Sequence, residues 1–151
     1  PEQRRVLMLS SLIFAESFLL CALDFRFGWS SVPAWLSTVG CVVFLLAYAG
    51  FAELLRENEY LSRSVELQAG QKVVSTGMYG IVRHPMYAVI IWLFLSMPLI
   101  LGSYIGLIPL AFIPYVLVKR LLNEEKLLRG GLDGYDEYMQ KVRYRLIPFV
   151  W

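Results

Sequence analysis

Long apolar runs are the feature that most constrains the fold of this chain. Residues 6–23 and 32–51 each approach the roughly 20 residues that a helix needs to cross a bilayer. Two shorter runs, 86–101 and 104–118, are separated only by Gly102-Ser103, which predicts a tight helical hairpin. Charged residues make up 17% of the chain, below the roughly 25% of soluble domains. The sequence therefore predicts an all-α fold, a polytopic membrane bundle of about four transmembrane helices.

The distribution of lysine and arginine predicts how these helices are oriented. Two basic residues precede the first run, and the following three connections hold one, four and none; seven lie after the fourth run. This alternation follows the positive-inside rule and places both termini, the connection 52–85 and the tail after residue 118 on the cytoplasmic side. The alternative is a buried or re-entrant pair in place of the last two spans, since about 16 residues is marginal for crossing.

Other features limit the classes of protein to consider. The net charge of +2 is too small to indicate a nucleic-acid partner. Cys21 and Cys41 lie in apolar runs without CxxC spacing, so we expect two free cysteines buried in the lipid phase and neither zinc nor a disulfide. We expect one domain over residues 1–151, from which N-terminal residues are missing because it begins with Pro1. Glu16 falls within the first run and either pairs with another span or marks a functional site.

The single histidine lies at a predicted helix start. His84 stands between Arg83 and Pro85, directly before the apolar run 86–101. Proline suits the first turn of a helix, where its missing N–H costs nothing. The free N–H groups at a helix N-terminus can hold an anion. Arg83 and His84 therefore either anchor the chain at the membrane surface or belong to a ligand site.

The tail after residue 118 also holds residues that have either a structural role or a role in a ligand site. Arg120 and Glu124 are four residues apart and share a face of a predicted helix, either as a surface ion pair or as site residues. Tyr135 and Tyr138 are expected on a short helix. The tyrosines of both segments either form an interfacial aromatic belt or line a pocket. No GxGxxG follows a strand, so a soluble Rossmann-type enzyme is not indicated.

The order of three motifs along the chain favours a functional site over a purely structural role for these residues. The chain carries "GQKVVSTGMYGIVRHPMY", then an apolar hairpin, then "RLLNEEKLL", then "YDEYMQKVRYRLIP". At this spacing it resembles the isoprenylcysteine carboxyl methyltransferase family and its relatives, the phospholipid methyltransferases. The resemblance covers residues 71–148, the expected motif-bearing catalytic half.

The resemblance implies methyl transfer from S-adenosylmethionine at a cofactor pocket on the cytoplasmic membrane face. It implies a lipid or lipid-linked acceptor from the bilayer, an isoprenylcysteine-type carboxylate or a phospholipid amine. Arg120, on the substrate side, and Glu124 are the expected catalytic residues. The cofactor-binding residues that it implies are Gln71, Lys72, Val73, Val74, Tyr79, His84, Pro85, Met86, Tyr87 and Glu124. An amine acceptor would need a base, for which Glu124 and Glu125 are candidates.

Two departures and two alternatives accompany this interpretation. Ser64 stands where the family can use a glutamine, and the link "RGGLDGY" is about one residue shorter than usual. One alternative is a nicotinamide-dependent reductase of the sterol type, which carries a similar R-H-x-x-Y element. The other is a non-catalytic membrane scaffold of the same fold.

Overall fold

The computed structural model describes residues 2–61, 67 and 69–151. Helices make up the regular structure of these residues, and no strand occurs among them. In chain order the helices are α1 (Glu2–Phe27), α2 (Ala34–Glu57), a 3₁₀ turn (Gly77–Gly80), α3 (Pro85–Ile100), α4 (Leu107–Leu110), α5 (Ile113–Gly131) and α6 (Tyr135–Lys141). The prediction of an all-α fold is confirmed for the described residues.

Two helices are long and apolar enough to cross a membrane. They are Arg5–Phe27 within α1 and Ala34–Glu57, which is α2. Only 17% of the apolar window of each is buried, whereas the core helix of a soluble protein would be mostly covered. Helix α3 is apolar but has 16 residues, and the predicted fourth run is divided between α4 and the start of α5. The four-span topology stays a prediction.

Helices α2 and α3 pack closely because small residues lie between them. A Cβ added at Gly40 would lie within 3.3 Å of Leu99 Cβ and of the Ser96 carbonyl oxygen. The Ser37 hydroxyl donates a hydrogen bond of 2.9 Å to the Leu99 carbonyl. Such close backbone approach is typical of helix pairs in membranes. Gly50 faces Val89 farther along, so the two helices are antiparallel.

A buried carboxylate ties two connections together at one end of the bundle. Asp24 is 1% exposed and accepts hydrogen bonds from the backbone N–H and hydroxyl of Ser30. It also accepts one from the Ser103 hydroxyl, across 79 positions of sequence. The α1–α2 connection is thereby joined to the turn after α3. The hydrogen bond from Ser17 to the Gly106 carbonyl, 2.7 Å long, adds a second link between α1 and this turn.

The sequence motifs lie at the opposite end of the bundle, since α2 ends there, α3 begins there and α5 leads to it. Helix α3 begins at Pro85, as predicted, with His84 as its N-cap. Helix α2 ends at Glu57, six residues beyond the apolar run 32–51. Its C-cap, Asn58, turns its amide toward Tyr79 and the Tyr60 backbone, which competes with helical hydrogen bonding.

The cysteines and Glu16 lie away from that end. Cys21 is buried within the protein and Cys41 is exposed on the surface of α2, both as free thiols, so the lipid-phase position of Cys41 stays a prediction. A helix exposes part of its surface wherever it lacks a neighbour, and Cys41 lies on such a part of α2. Glu16 is exposed on α1 and does not line the cavity described below.

Candidate active site

A cavity opens where α2, α3 and α5 meet α6 and the segment 71–74. It is open to solvent, and the empty space between its walls, counted out to the mouth, is about 820 Å³. Its walls combine apolar side chains with a small number of charged and hydroxyl groups. The lining residues are Asn58, Tyr60, Leu61, Gln71, Lys72, Val73, Val74, Tyr79, Arg83, His84, Met86, Tyr87, Arg120, Glu124, Leu127, Leu128, Leu132, Tyr135 and Tyr138.

The structure brings almost all of the sequence-predicted site residues to this cavity. The predicted residues that line the cavity are Gln71, Lys72, Val73, Val74, Tyr79, His84, Met86, Tyr87, Arg120 and Glu124. Pro85 does not; it is buried in the first turn of α3, where its side chain fixes the helix start. Ser64 lies outside the described residues. The segment 71–75 has no regular structure.

His84 lines the cavity and is held in place by its backbone. Its N–H donates to the Arg145 carbonyl at 2.9 Å, and the residue is 4% exposed. Nε2 has no hydrogen-bond partner among the described residues. Its nearest charged neighbour is Glu125 Oε1 at 3.6 Å, too far for a hydrogen bond. This ring nitrogen therefore faces the Glu125 carboxylate.

Below the cavity, Glu125 is the centre of a buried ion network. Its Oε1 accepts from Arg83 Nε at 2.8 Å and its Oε2 accepts from Arg145 Nε at 2.8 Å. Arg83 also donates to the carbonyls of Val142 and Arg143. The network therefore fastens the tail after α6 to α5 and to the start of α3. The interpretation of Arg83 as a surface anchor is wrong, because tertiary contacts bury it to 6% exposure.

The same contacts determine the acidity of Glu125. Burial by itself would raise the pKa of this carboxyl, but the neighbouring His84, Arg145 and Arg83 outweigh burial and lower the pKa to about 2. Glu125 does not line the cavity. Of the two candidate bases, only Glu124 reaches it, and Glu125 is a structural carboxylate.

We expect the stabilising effect of Glu125 to disappear in acid. Its pKa is about 2 in the folded chain against an ordinary value of 4.5, so the unfolded state takes up the proton first as the pH falls. The contribution is fully present above pH 4.5 and is lost as the pH falls from there toward 2. Glu125→Gln mimics the protonated group. The difference in melting temperature between parent and Glu125→Gln in detergent should be constant above about pH 5 and shrink below it. A difference that grows in acid would contradict this.

Tyr79 is fixed at both ends, by Asn58, which sequence reasoning did not select, and by Tyr138 of the tail motif. Its hydroxyl accepts a hydrogen bond of 3.0 Å from the Asn58 amide, and its backbone carbonyl accepts one of 2.7 Å from the Tyr138 hydroxyl. Burial raises the pKa of Tyr79 to about 12, so the phenol keeps its proton at neutral pH. The 3₁₀ turn that carries it is held by Glu57, whose carboxylate accepts from the Met78 N–H at 3.2 Å.

Gly77 is needed for this turn. It has a φ of +51°, which L side chains rarely adopt, and an added Cβ would overlap the Glu57 carboxylate. The two glycines that flank Tyr79, Gly77 and Gly80, were the sequence signal for this turn. The partner of the turn at the end of α2 carried no signal, because it lies about 20 positions earlier.

Glu124 and Arg120 form the charged wall of the cavity on α5. The Tyr87 hydroxyl donates to Glu124 Oε2 at 2.5 Å, which orients the carboxylate. Arg120 lies one turn earlier, near the Tyr87 hydroxyl. Both side chains are half-buried and line the cavity, which favours the site interpretation over that of a surface ion pair.

The donor set suits a zwitterionic, cationic cofactor such as S-adenosylmethionine. The Glu124 carboxylate can accept from an ammonium group. The Tyr79 hydroxyl is a polar atom available to a ligand, the His84 side chain also lines the cavity, and the rings of Tyr79, Tyr135 and Tyr138 can contact a sulfonium group. The chemistry of these residues therefore fits the cofactor that the motifs imply.

Comparison with known families supports the same conclusion. The model of the isoprenylcysteine carboxyl methyltransferase family matches residues 38–130. The matched range contains α2 from residue 38, the segment 71–74, α3 and nearly all of α5. It contains every lining residue except those contributed by the link after α5 and by α6, namely Leu132, Tyr135 and Tyr138.

Proposed function

Because the chain belongs to the isoprenylcysteine carboxyl methyltransferase family, a family of membrane methyltransferases, we propose that it uses S-adenosylmethionine to methylate a lipid-linked carboxylate. The observation that carries the proposal is the convergence of motif residues from three separate segments on one cavity. Nothing in a membrane scaffold would require Glu124, His84 and Tyr79 to face the same space.

The cofactor is assigned to the cavity by its charges and donors. When bound, S-adenosylmethionine supplies a methyl group on a sulfonium, an electrophile with a good leaving group. Glu124 would accept from the amino group of the cofactor, with its position held by Tyr87. His84 and Tyr79 would contribute polar contacts from the other side, and the backbone bond of His84 to Arg145 keeps the ring in place.

Arg120 is assigned to the acceptor. A carboxylate acceptor is ionised at neutral pH and needs no base, so the task left to the protein is alignment and exclusion of water. A guanidinium can hold a carboxylate through two parallel hydrogen bonds. An amine acceptor would first have to lose a proton, and Glu124 is then the candidate base, because Glu125 is fully engaged by Arg83 and Arg145. The carboxylate is favoured by the matched family and by Arg120.

The site is proposed to face the cytoplasm. The positive-inside pattern assigns the segment 52–85 and the tail to that side. The cavity is built from both segments. A lipid-linked acceptor would then reach Arg120 from the bilayer, while the cofactor enters through the mouth of the cavity.

Calorimetric titration of the purified protein in detergent tests the cofactor assignment. We expect S-adenosylmethionine to bind with micromolar affinity and NADPH not to bind. Glu124→Gln and His84→Ala should each raise the Kd for S-adenosylmethionine, by about 10- to 100-fold for Glu124→Gln, because a charge-assisted contact contributes about 1.5–3 kcal/mol. Glu137→Gln makes the same change on the exposed surface of α6 and should leave the Kd unchanged.

The contrary outcomes are distinct. Binding of NADPH alone would replace the proposal with the reductase alternative. Binding of neither would favour a scaffold. Equal affinity in the parent, Glu124→Gln and His84→Ala would show that a bound cofactor lies elsewhere.

A further inference from the structure

Asn58 is a cavity residue that no motif singles out. It is the C-cap of α2 and is half-buried. Its side-chain oxygen accepts a hydrogen bond of 3.0 Å from the Tyr60 backbone N–H. Its amide nitrogen lies 3.0 Å from the Tyr79 hydroxyl.

These two contacts settle which way the amide points. A backbone N–H can only donate, so the atom that faces Tyr60 must be the amide oxygen. The amide nitrogen, which can only donate, then faces Tyr79. The Tyr79 oxygen is thereby an acceptor in this bond, and its own proton must point elsewhere.

The direction left to that proton is the cavity. Asn58 and Tyr79 both line it, and Asn58 is the hydroxyl's partner among the described residues. The hydroxyls of Tyr87 and Tyr138 are different, since they donate to Glu124 and to the Tyr79 carbonyl. Of these three hydroxyls, that of Tyr79 keeps a proton that is not donated to a protein acceptor. The Tyr135 hydroxyl also has no partner among the described residues, but no neighbouring amide fixes its direction as Asn58 does for Tyr79.

We propose that Asn58 is a positioning residue, which fixes the Tyr79 hydroxyl as a hydrogen-bond donor to an acceptor atom of the bound cofactor. The inference rests on the proposed function, because it takes S-adenosylmethionine as the ligand. Carboxylate, hydroxyl and ring-nitrogen acceptors are all present on that molecule. Tyr79 remains protonated at neutral pH because burial raises its pKa to about 12, so the donor is always available.

Replacing Asn58 with aspartate reverses this arrangement at constant size. A carboxylate only accepts, so it would draw the Tyr79 proton away from the cavity. Aspartate keeps the oxygen that faces Tyr60, so the hydrogen bond from the Tyr60 N–H is retained. The substitution therefore changes the direction of one hydrogen bond and adds one negative charge.

A double-mutant cycle separates these two effects. The Kd for S-adenosylmethionine is measured calorimetrically for the parent, Asn58→Asp, Tyr79→Phe and the double variant. We expect Tyr79→Phe and Asn58→Asp each to weaken binding by about 10-fold, the equivalent of one hydrogen bond. In the Tyr79→Phe background, Asn58→Asp should change the Kd by less than about 2-fold, because the two residues act through one contact.

The cycle has an outcome for each alternative. If Asn58→Asp weakens binding equally with and without the Tyr79 hydroxyl, its effect is one of charge or packing, and the inference is overturned. If Asn58→Asp binds like the parent, the inference is also overturned while the proposed function stands. A parent protein that does not bind S-adenosylmethionine overturns both. Where Asn58→Asp does not fold, the uncharged Asn58→Leu repeats the cycle, with the same expected dependence on Tyr79.

Discussion

Replacing Arg83 with methionine is expected to destabilise the protein by about 3–5 kcal/mol, the usual effect of breaking a buried ion pair from one side. Methionine preserves much of the volume but leaves Glu125 with Arg145 as its remaining hydrogen-bonded cation. It also leaves the Val142 and Arg143 carbonyls without their donor. For a chain of this length the melting temperature should fall by roughly 6–20 °C, measured by circular dichroism in detergent.

An exposed ion pair provides the matched control. Arg129 Nε lies 3.0 Å from Asp136 Oδ1, with side chains 58% and 63% exposed. Arg129→Met should therefore cost no more than about 1 kcal/mol. Combining Arg83→Met with Glu125→Leu removes both charges and should recover much of the lost stability. A double variant as unstable as Arg83→Met would show that the backbone contacts to the tail, and not the unpaired carboxylate, dominate.

Substituting Arg120 with alanine is expected to lower turnover of a short S-prenylated cysteine about 100-fold, while the Kd for S-adenosylmethionine stays within about 2-fold. The physical reason is that a guanidinium holding the acceptor carboxylate contributes in the transition state about what a charged hydrogen bond contributes. The measurement is transfer of isotopically labelled methyl to the carboxylate, recovered as a base-labile ester.

Lys119→Ala removes the same charge one position away. The Lys119 ammonium lies 4.8 Å from the centre of the Tyr115 ring and does not line the cavity. We expect it to retain parental turnover. If Arg120→Ala raised the Kd for S-adenosylmethionine as strongly as it lowered turnover, Arg120 would belong to the cofactor side of the cavity.

Much of the site was predictable because its residues lie near one another in short motifs. The pair His84-Pro85 predicts the start of α3, and the spacing of Arg120 and Glu124 predicts their shared face on α5; both predictions are confirmed. The family assignment is also confirmed, over residues 38–130. The roles of the individual site residues, and the tail motif beyond residue 130, stay predictions.

The helix bounds were less predictable from hydropathy, because apolarity does not measure backbone continuity. The run 104–118 is uniformly apolar, but Pro109 and Pro114 lie within it. A proline removes one N–H from the helical ladder and favours a new first turn. The structure accordingly divides the run into α4 and the beginning of α5, with Pro114 in the first turn of α5.

Long-range partners could not be predicted from sequence. Glu124 and Glu125 are neighbours of the same type, yet one faces the cavity and the other is buried among cations. That difference depends on Arg83 and Arg145, which lie 42 and 20 positions away from Glu125. Asn58 was missed for the same reason, since its partner Tyr79 is 21 positions distant.

The attachment of the tail has a consequence for biogenesis. The backbone of His84 is held by the Arg145 carbonyl, and that of Arg83 by the Tyr144 carbonyl. Helices α1 and α2, by contrast, are synthesised well before these contacts can form. During translation the two candidate membrane helices therefore form before the cavity is complete. The cavity is completed only after residues 142–145 have emerged from the ribosome.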